Sequence, residues 1–283
     1  MHVRLLLLLA LLAVPLQRAG AHPGVGIVRD RQGNVFYTDL FQVWRITPAG
    51  QKSVVVLNVH THELAIDSLG NLYGEDSRYL GSGEGDDRYR HRIWRRRPDG
   101  RVTDIVPWRA GFWREYGFVH DRAGAMYWIK CPARRCSIHR RERPDARTRT
   151  TVLAAPERFA HPINWMAASA TEAGVLYVVD GPALRRVDAS ERVTTVAANV
   201  GSQLMGLWPT STGDVYVAVH AARAVVRVNL ASGRITTAAR SPAPWAPSGV
   251  LVAPDGALWV LEYSTASTAR VRRIAPDGTA RIF

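Results

Sequence analysis

The densest chemistry in this sequence is the run His60-Thr61-His62-Glu63. Side chains alternate along an extended segment, so His60 and His62 point to one side and Glu63 to the other. Two imidazoles on one side can share a transition metal, and either one can serve as a general base near neutral pH. The spacing differs from the helical H-E-x-x-H zinc motif, and a histidine pair in a loop with no metal is the simpler reading. Carboxylates that could complete such a site follow at Glu75 and Asp76. The candidate metal ligands are therefore His60, His62, Glu75 and Asp76, and the candidate cofactor is one divalent cation. The candidate catalytic groups are His62, Glu75 and His220.

What positions these residues is a repeat. The segment from Gly26 to Asp39 is an apolar strand, a Gly-Asn turn and a second alternating strand that ends in an acid. It recurs from Glu63 to Tyr73 and from Gly117 to Trp128, and more loosely from Trp165 to Asp180, Gly206 to His220 and Gly249 to Glu262. The turn glycines Gly33, Gly70, Gly124, Gly174, Gly213 and Gly256 are spaced by 37, 54, 50, 39 and 43 residues. Each copy continues into two further strands, with Pro98-Asp99-Gly100 and Pro276-Asp277-Gly278 as turns between them. A period of about 40–50 residues with this content predicts an all-β fold, a six-bladed β-propeller with four antiparallel strands per blade. The copies reach Phe283, so the ring is expected to close by packing the first blade on the last, with residues after His22 available as an added strand.

This motif resembles the NHL-repeat and senescence-marker-protein/gluconolactonase class of six-bladed propellers over the whole chain after residue 21. The resemblance implies lactonase or lyase chemistry, or ligand binding. The calcium-dependent lactonases carry a Glu, two Asn and an Asp at the first-strand starts, where this sequence has Val25, Tyr116, Asn164 and Met205, so Asn164 alone matches. His62 falls in a slot where the similar peptidyl-amidoglycolate lyase propellers place metal-binding histidines.

In a propeller path the two tight turns of each blade share one face and the longer connections share the other. The connections at 77–90, 107–115, 131–135, 155–163 and 239–247 are expected on that second, functional face. Val25, His62, Tyr116, Asn164, Met205 and Ser248 stand at the first-strand starts. Asp39, Glu75-Asp76, Lys130, Asp180, His220 and Glu262 stand at the second-strand ends. The candidate ligand contacts are Tyr116, Asn164, Asp180, Glu262 and Asp39, although acids in this position also satisfy loop amides. The glycine-rich stretch within Ser77 to Arg92 has two readings, a flap over the channel mouth that orders on ligand binding and a solvated insertion without a role, which its mixed charges and glycines equally suit.

Arg4, the apolar run from Leu5 to Leu16, and Ala19 and Ala21 form a secretory leader, so residues 1–21 read as a signal peptide and 22–283 as one domain. The run falls short of the roughly 20 residues that a bilayer span requires. The product is expected to be exported, periplasmic or extracellular, and monomeric. In an oxidising compartment Cys131 and Cys136, the only thiols, are expected to pair. The formal charge of +13 comes from arginines scattered through every repeat, which argues against nucleic acid. The clusters at 95–97 and at 134–143 suit an anionic surface. No G-x-S-x-G elbow, phosphate loop or dinucleotide glycine signature occurs. Two functional classes survive, an exported propeller that binds a small molecule, sugar or peptide, and a metal-dependent lyase or hydrolase built on His62 and its acids.

Overall fold

A computed structural model describes residues 23–81, 88–111, 115–142 and 150–283, without the side chains of 115–117 and 133. The chain forms six sheets of four antiparallel strands, each a simple up-and-down meander in sequence order. Blade 1 holds β1 (Ile27–Arg29), β2 (Val35–Thr38), β3 (Gln42–Ile46) and β4 (Lys52–Leu57). Blade 2 holds β5 (Ala65–Ile66), β6 (Leu72–Tyr79), β7 (Tyr89–Arg96) and β8 (Val102–Ala110). Blade 3 holds β9 (Glu115–His120), β10 (Met126–Lys130), β11 (Ser137–Arg141) and β12 (Thr151–Ala154). Blade 4 holds β13 (Ile163–Ala168), β14 (Leu176–Asp180), β15 (Ala183–Val187) and β16 (Val193–Ala197). Blade 5 holds β17 (Leu204–Pro209), β18 (Asp214–Val219), β19 (Ala224–Asn229) and β20 (Ile235–Arg240). Blade 6 holds β21 (Trp245–Val252), β22 (Leu258–Ser264), β23 (Ala269–Ile274) and β24 (Ala280–Ile282).

In blades 1 to 3 the first tight turn forms where the sequence repeats an acid and a glycine. Asp67 accepts hydrogen bonds from the amides of Leu69 and Asn71, the Asn71 side chain and the Tyr73 hydroxyl, while Gly70 takes a φ of +80° that suits a residue without Cβ. Asp30 and Asp121 staple their turns in the same way.

Alternate side chains of each strand face opposite neighbouring blades, so the core lies in the seams between blades. Val28, Phe36, Val43 and Val56 of blade 1 meet Leu64, Leu72 and Trp94 of blade 2 in one such seam. Among the described residues the seam between blades 2 and 3 has the smallest buried apolar cluster, Ile93, Phe118 and Trp128.

Ring closure follows the expected packing of blade 1 on blade 6. Ile27, Tyr37 and Ile46 share a core with Leu251, Leu261 and Tyr263, and the Tyr263 hydroxyl donates to Thr38 O at 3.1 Å. Residues 23–26 add no strand; the amides of Val25 and Gly26 donate instead to His62 O, at 2.7 and 2.9 Å.

The connections differ from expectation in blade 2. Residues 77–79, 89–92 and 107–110 are paired strand, with Tyr79 opposite Tyr89 and His91 opposite Arg109. The cause is alternation: aromatic and aliphatic residues continue past Asp76 on both sides of the hairpin, so the ladder extends as far as the glycine-rich tip. That tip, residues 82–87, lies outside the described residues, as does the leader, residues 1–22. The interval 239–247 is also mostly strand, divided between β20 and β21. No helix among the described residues is long and apolar enough to cross a membrane.

Candidate functional site

The first strands surround a central channel of about 290 Å³, lined by residues 25–28, 63–66, 118–120, 165–168, Ala170, 206–209 and Val250. Its wall is apolar except for Glu63 and His120. Counted back from the paired residues of each first strand, Val25, His62, Tyr116, Asn164, Met205 and Ser248 occupy equivalent slots, and of these Val25 lines the channel.

Counting inward from those slots exposes a break in the repeat. The position after that slot is glycine at Gly26, Gly117, Gly206 and Gly249 and tryptophan at Trp165 in blade 4, and at Gly26, Gly206 and Gly249 the neighbouring blade approaches closely. A Cβ on Gly26 would lie 2.8 Å from Leu64 N, and one on Gly206 would lie 2.9 Å from Ser248 O. Blade 2 has Glu63 in this slot, 7% exposed, and its Oε2 accepts the Phe118 amide of blade 3 at 3.1 Å. On the second strands, the slot before the terminal acid holds buried Ile129, Val179, Ala218 and Leu261 in four blades and Thr38 in blade 1. Blade 2 has Glu75 there, 4% exposed.

Glu75 accepts two hydrogen bonds from one residue. The His62 amide donates to its Oε1, and the His62 Nδ1 lies 3.1 Å from the same oxygen. In blades 3 to 6 the first strand passes through a β-bulge and pairs on upward, whereas β5 stops at Ala65, and the Glu75 carboxylate takes the place of a ladder partner for His62. A carboxylate on Nδ1 selects the Nδ1–H tautomer and makes Nε2 the basic nitrogen. His60 stands edge-on to His62, ring centres 4.6 Å apart, and its Nδ1 donates to Leu40 O of blade 1 at 3.1 Å. Burial lowers the His60 pKa, as does its neighbour His62, against the opposing pull of Leu40 O, Glu75 and Asp76. Thr61, fully buried between them, donates to Glu75 O and accepts the Trp94 indole N–H.

The terminal acids of the second strands have structural partners. Asp39 accepts the amides of Phe41 and Gln42 and the Trp44 indole. Asp76 accepts the His60 amide at 3.0 Å and binds Arg78 and Arg92. Asp180 accepts the amides of Ala160 and His161 and binds Arg185. Glu262 accepts the Ser241 hydroxyl and binds Arg270 and Arg272. Each of these acids holds the loop that leads into a first strand, or its own hairpin, in place. His220 serves likewise, its Nδ1 donating to Pro247 O of blade 6 at 3.1 Å. Asn164 is exposed at the rim, and Tyr116 lies in β9 at its rim slot. Cys131 and Cys136 form a disulfide across the loop between β10 and β11.

The structure thus gathers His60, His62 and Glu75 in one sector and leaves Asp180, Glu262, Asp39 and His220 in others. Among the described residues no group of three or more His, Cys, Asp or Glu side chains is placed to hold a metal. Two guanidinium groups already neutralise Asp76, and His60 uses its Nδ1 on a carbonyl, so these residues do not fit a cation. Residue-type reasoning overlooked His161, whose Nδ1 lies 3.3 Å from Asp180, and His120, which packs on Tyr73 at 5.1 Å beside the channel. The same register could have found both, since His161 precedes the first strand of blade 4 and His120 ends that of blade 3.

No protein-family model and no curated protein sequence matches the chain. Solved structures do. Virginiamycin B lyase from Staphylococcus aureus is 14% identical, with TM-score 0.58, over 92% of this chain and 84% of that one. A gluconolactonase from Xanthomonas campestris is 16% identical, with TM-score 0.58, over 84% of this chain and 83% of that one. An auxiliary nutrient binding protein from Bacteroides thetaiotaomicron is 9% identical, with TM-score 0.63, over 89% and 69% of the two chains. The chain is a six-bladed β-propeller. At these identities the likeness establishes the fold, and the chemistry has to be argued from the side chains.

Proposed function

We propose that this chain is an exported propeller that binds a small molecule, sugar or peptide at the mouth of its channel. His62, oriented by Glu75, is the main polar contact, with Tyr116 and Asn164 in the equivalent rim slots of the next two blades. The apolar channel wall is the bed for the rest of the ligand. The observation that carries this reading is the break in the repeat. Five blades place glycine or tryptophan, and an aliphatic residue or threonine, where blade 2 places two nearly buried carboxylates beside a histidine. Burying carboxylates costs stability unless something else requires them. The leader at residues 1–21 and the Cys131–Cys136 disulfide support export.

The His62–Glu75 hydrogen bond favours a second reading, in which His62 is a general base and the bound molecule is turned over by a lyase or hydrolase reaction. One screen tests both. Purified protein is heated with a panel of sugars, short peptides and small metabolites, alongside His62→Ala and Glu75→Leu. A mouth ligand raises the wild-type melting temperature by mass action and leaves both variants unmoved. Mass spectrometry of each hit after incubation then separates binding from turnover. Hits that stabilise all three proteins equally would refute the site. N-terminal sequencing of protein expressed with its leader should begin near His22, and an intact Met1 would refute processing.

A further inference from the structure

Blade 2 departs from the repeat in a second way. Strand β6 runs three residues past Asp76, to Tyr79, and with β7 and β8 raises a sheet about 10 Å above the level where that acid sits. On the side of this sheet that faces blade 1, Arg78, Arg90 and Arg92 surround one indole. Their guanidinium carbons lie 5.3, 4.5 and 4.9 Å from the Trp108 ring centre. Two carboxylates serve this group: Asp76 binds Arg78 and Arg92, and Asp104 binds Arg92. Arg78 also donates to Asn58 O at 2.5 Å. Arg90 is exposed and has no carboxylate partner among the described residues.

We propose that Arg90, with Arg78 at its side and Trp108 behind it, forms an oxyanion subsite that takes a carboxylate or phosphate group of the ligand. The inference rests on the mouth-binding reading, which it deepens by naming the ligand as anionic. Three like charges gathered on one ring repel one another, and the indole with two acids offsets that repulsion only in part. A guanidinium over a ring uses its face, whereas its five N–H donors lie in its plane and suit the two oxygens of a planar oxyanion. The wall also adjoins the mouth. Asp76 at its base accepts the His60 amide at 3.0 Å, and the Ser77 amide donates to His60 O at 3.2 Å. An anionic group on the wall therefore stands next to the sector that holds His62.

The test uses the Trp108 indole N–H resonance, assigned by its loss in Trp108→Phe, and titrates the protein with sodium phosphate, sodium acetate or sodium chloride at constant ionic strength. Phosphate or acetate is expected to shift the resonance saturably, and chloride is not. Whichever oxyanion saturates at the lower concentration names the group. In Arg90→Gln the apparent affinity is expected to fall about tenfold, with Arg90→Lys retaining part of it because the charge stays and the planar fork is lost. Equal shifts with chloride, or an unchanged curve in Arg90→Gln with an unchanged melting temperature, would overturn the subsite. His62→Ala leaves the wall intact and should keep the wild-type curve. A missing anion response beside His62-dependent ligand binding sinks this inference alone. A normal anion response with no His62-dependent binding sinks the mouth reading alone.

Discussion

Replacing Glu75 by leucine restores the repeat at the one second-strand slot where a carboxylate stands among aliphatic neighbours, and it separates a functional acid from a structural one. On the debit side, the His62 amide and ring lose the Oε1 they share. A half-buried amide left without its charged partner costs about 1.5–3 kcal/mol, and the ring, 17% exposed, retains some access to water. On the other side, a leucine buried like Leu261 contributes about 1.5–3 kcal/mol, and the several kcal/mol spent on desolvating a carboxylate at 4% exposure are recovered. The expected result is about 1–4 kcal/mol of added stability, with ligand binding lost. The assay is urea denaturation followed by tryptophan fluorescence, read as a shift in midpoint at constant slope. A loss of more than about 2 kcal/mol would mean that Glu75 is there to hold the start of blade 2, and the functional reasoning from the broken repeat would fail.

The sign of the His60 shift sets a pH dependence. Its pKa is lowered on folding, so the neutral form is favoured in the folded state; the stability this brings is present above the unfolded value of about 6.5 and is lost as pH falls through the lower folded value. Midpoints measured between pH 5 and 8 should show that loss, and His60→Gln should flatten it; an equal slope in the variant would assign the effect elsewhere. Gly206→Ala is expected to cost about 1–3 kcal/mol, since its Cβ would meet the backbone of blade 6 at Ser248 O and at the Gly249 Cα, 2.9 and 3.0 Å away. A melting temperature within a degree of wild type would show that the seam can relax. Tyr263→Phe removes the hydrogen bond to Thr38 O across the closing seam and should cost about 1 kcal/mol in the same denaturation experiment. No change would indicate that apolar packing closes the ring unaided.

Much of the fold was legible because its determinants are local. An acid, two or three residues, then glycine makes a turn wherever it occurs, as Asp67 and Gly70 show, and alternation on either side makes the flanking strands. Six copies of the strand, glycine turn and strand, three of them with the acid, left little freedom in topology, and the slots at the first-strand starts and second-strand ends can be counted along the chain alone. The blade 2 hairpin departs from the sequence expectation for a related reason: the glycines after Leu80 suggest a loop from Ser77 onward, while alternation through Tyr79 and Tyr89 keeps the two strands paired.

The site was only half legible. Sequence alone determined which residue types stand at which rim slots, and it singled out His60, His62, Glu75 and Asp76. It did not determine which carboxylates are spent on the scaffold, because that depends on partners brought in by the ring from distant stretches of chain. Asp180 reaches back to the His161 loop, Glu262 to Ser241, and Asp76 to the His60 amide. Asp76 and Glu75 are adjacent in sequence, yet the pleat sends them to opposite sides of β6, one onto two guanidinium groups and the other onto His62. Charge and hydrogen-bonding capacity belong to the residue and can be read from the sequence, but whether a capacity is already used depends on what folding brings within about 3 Å of it, which here only the tertiary structure decided.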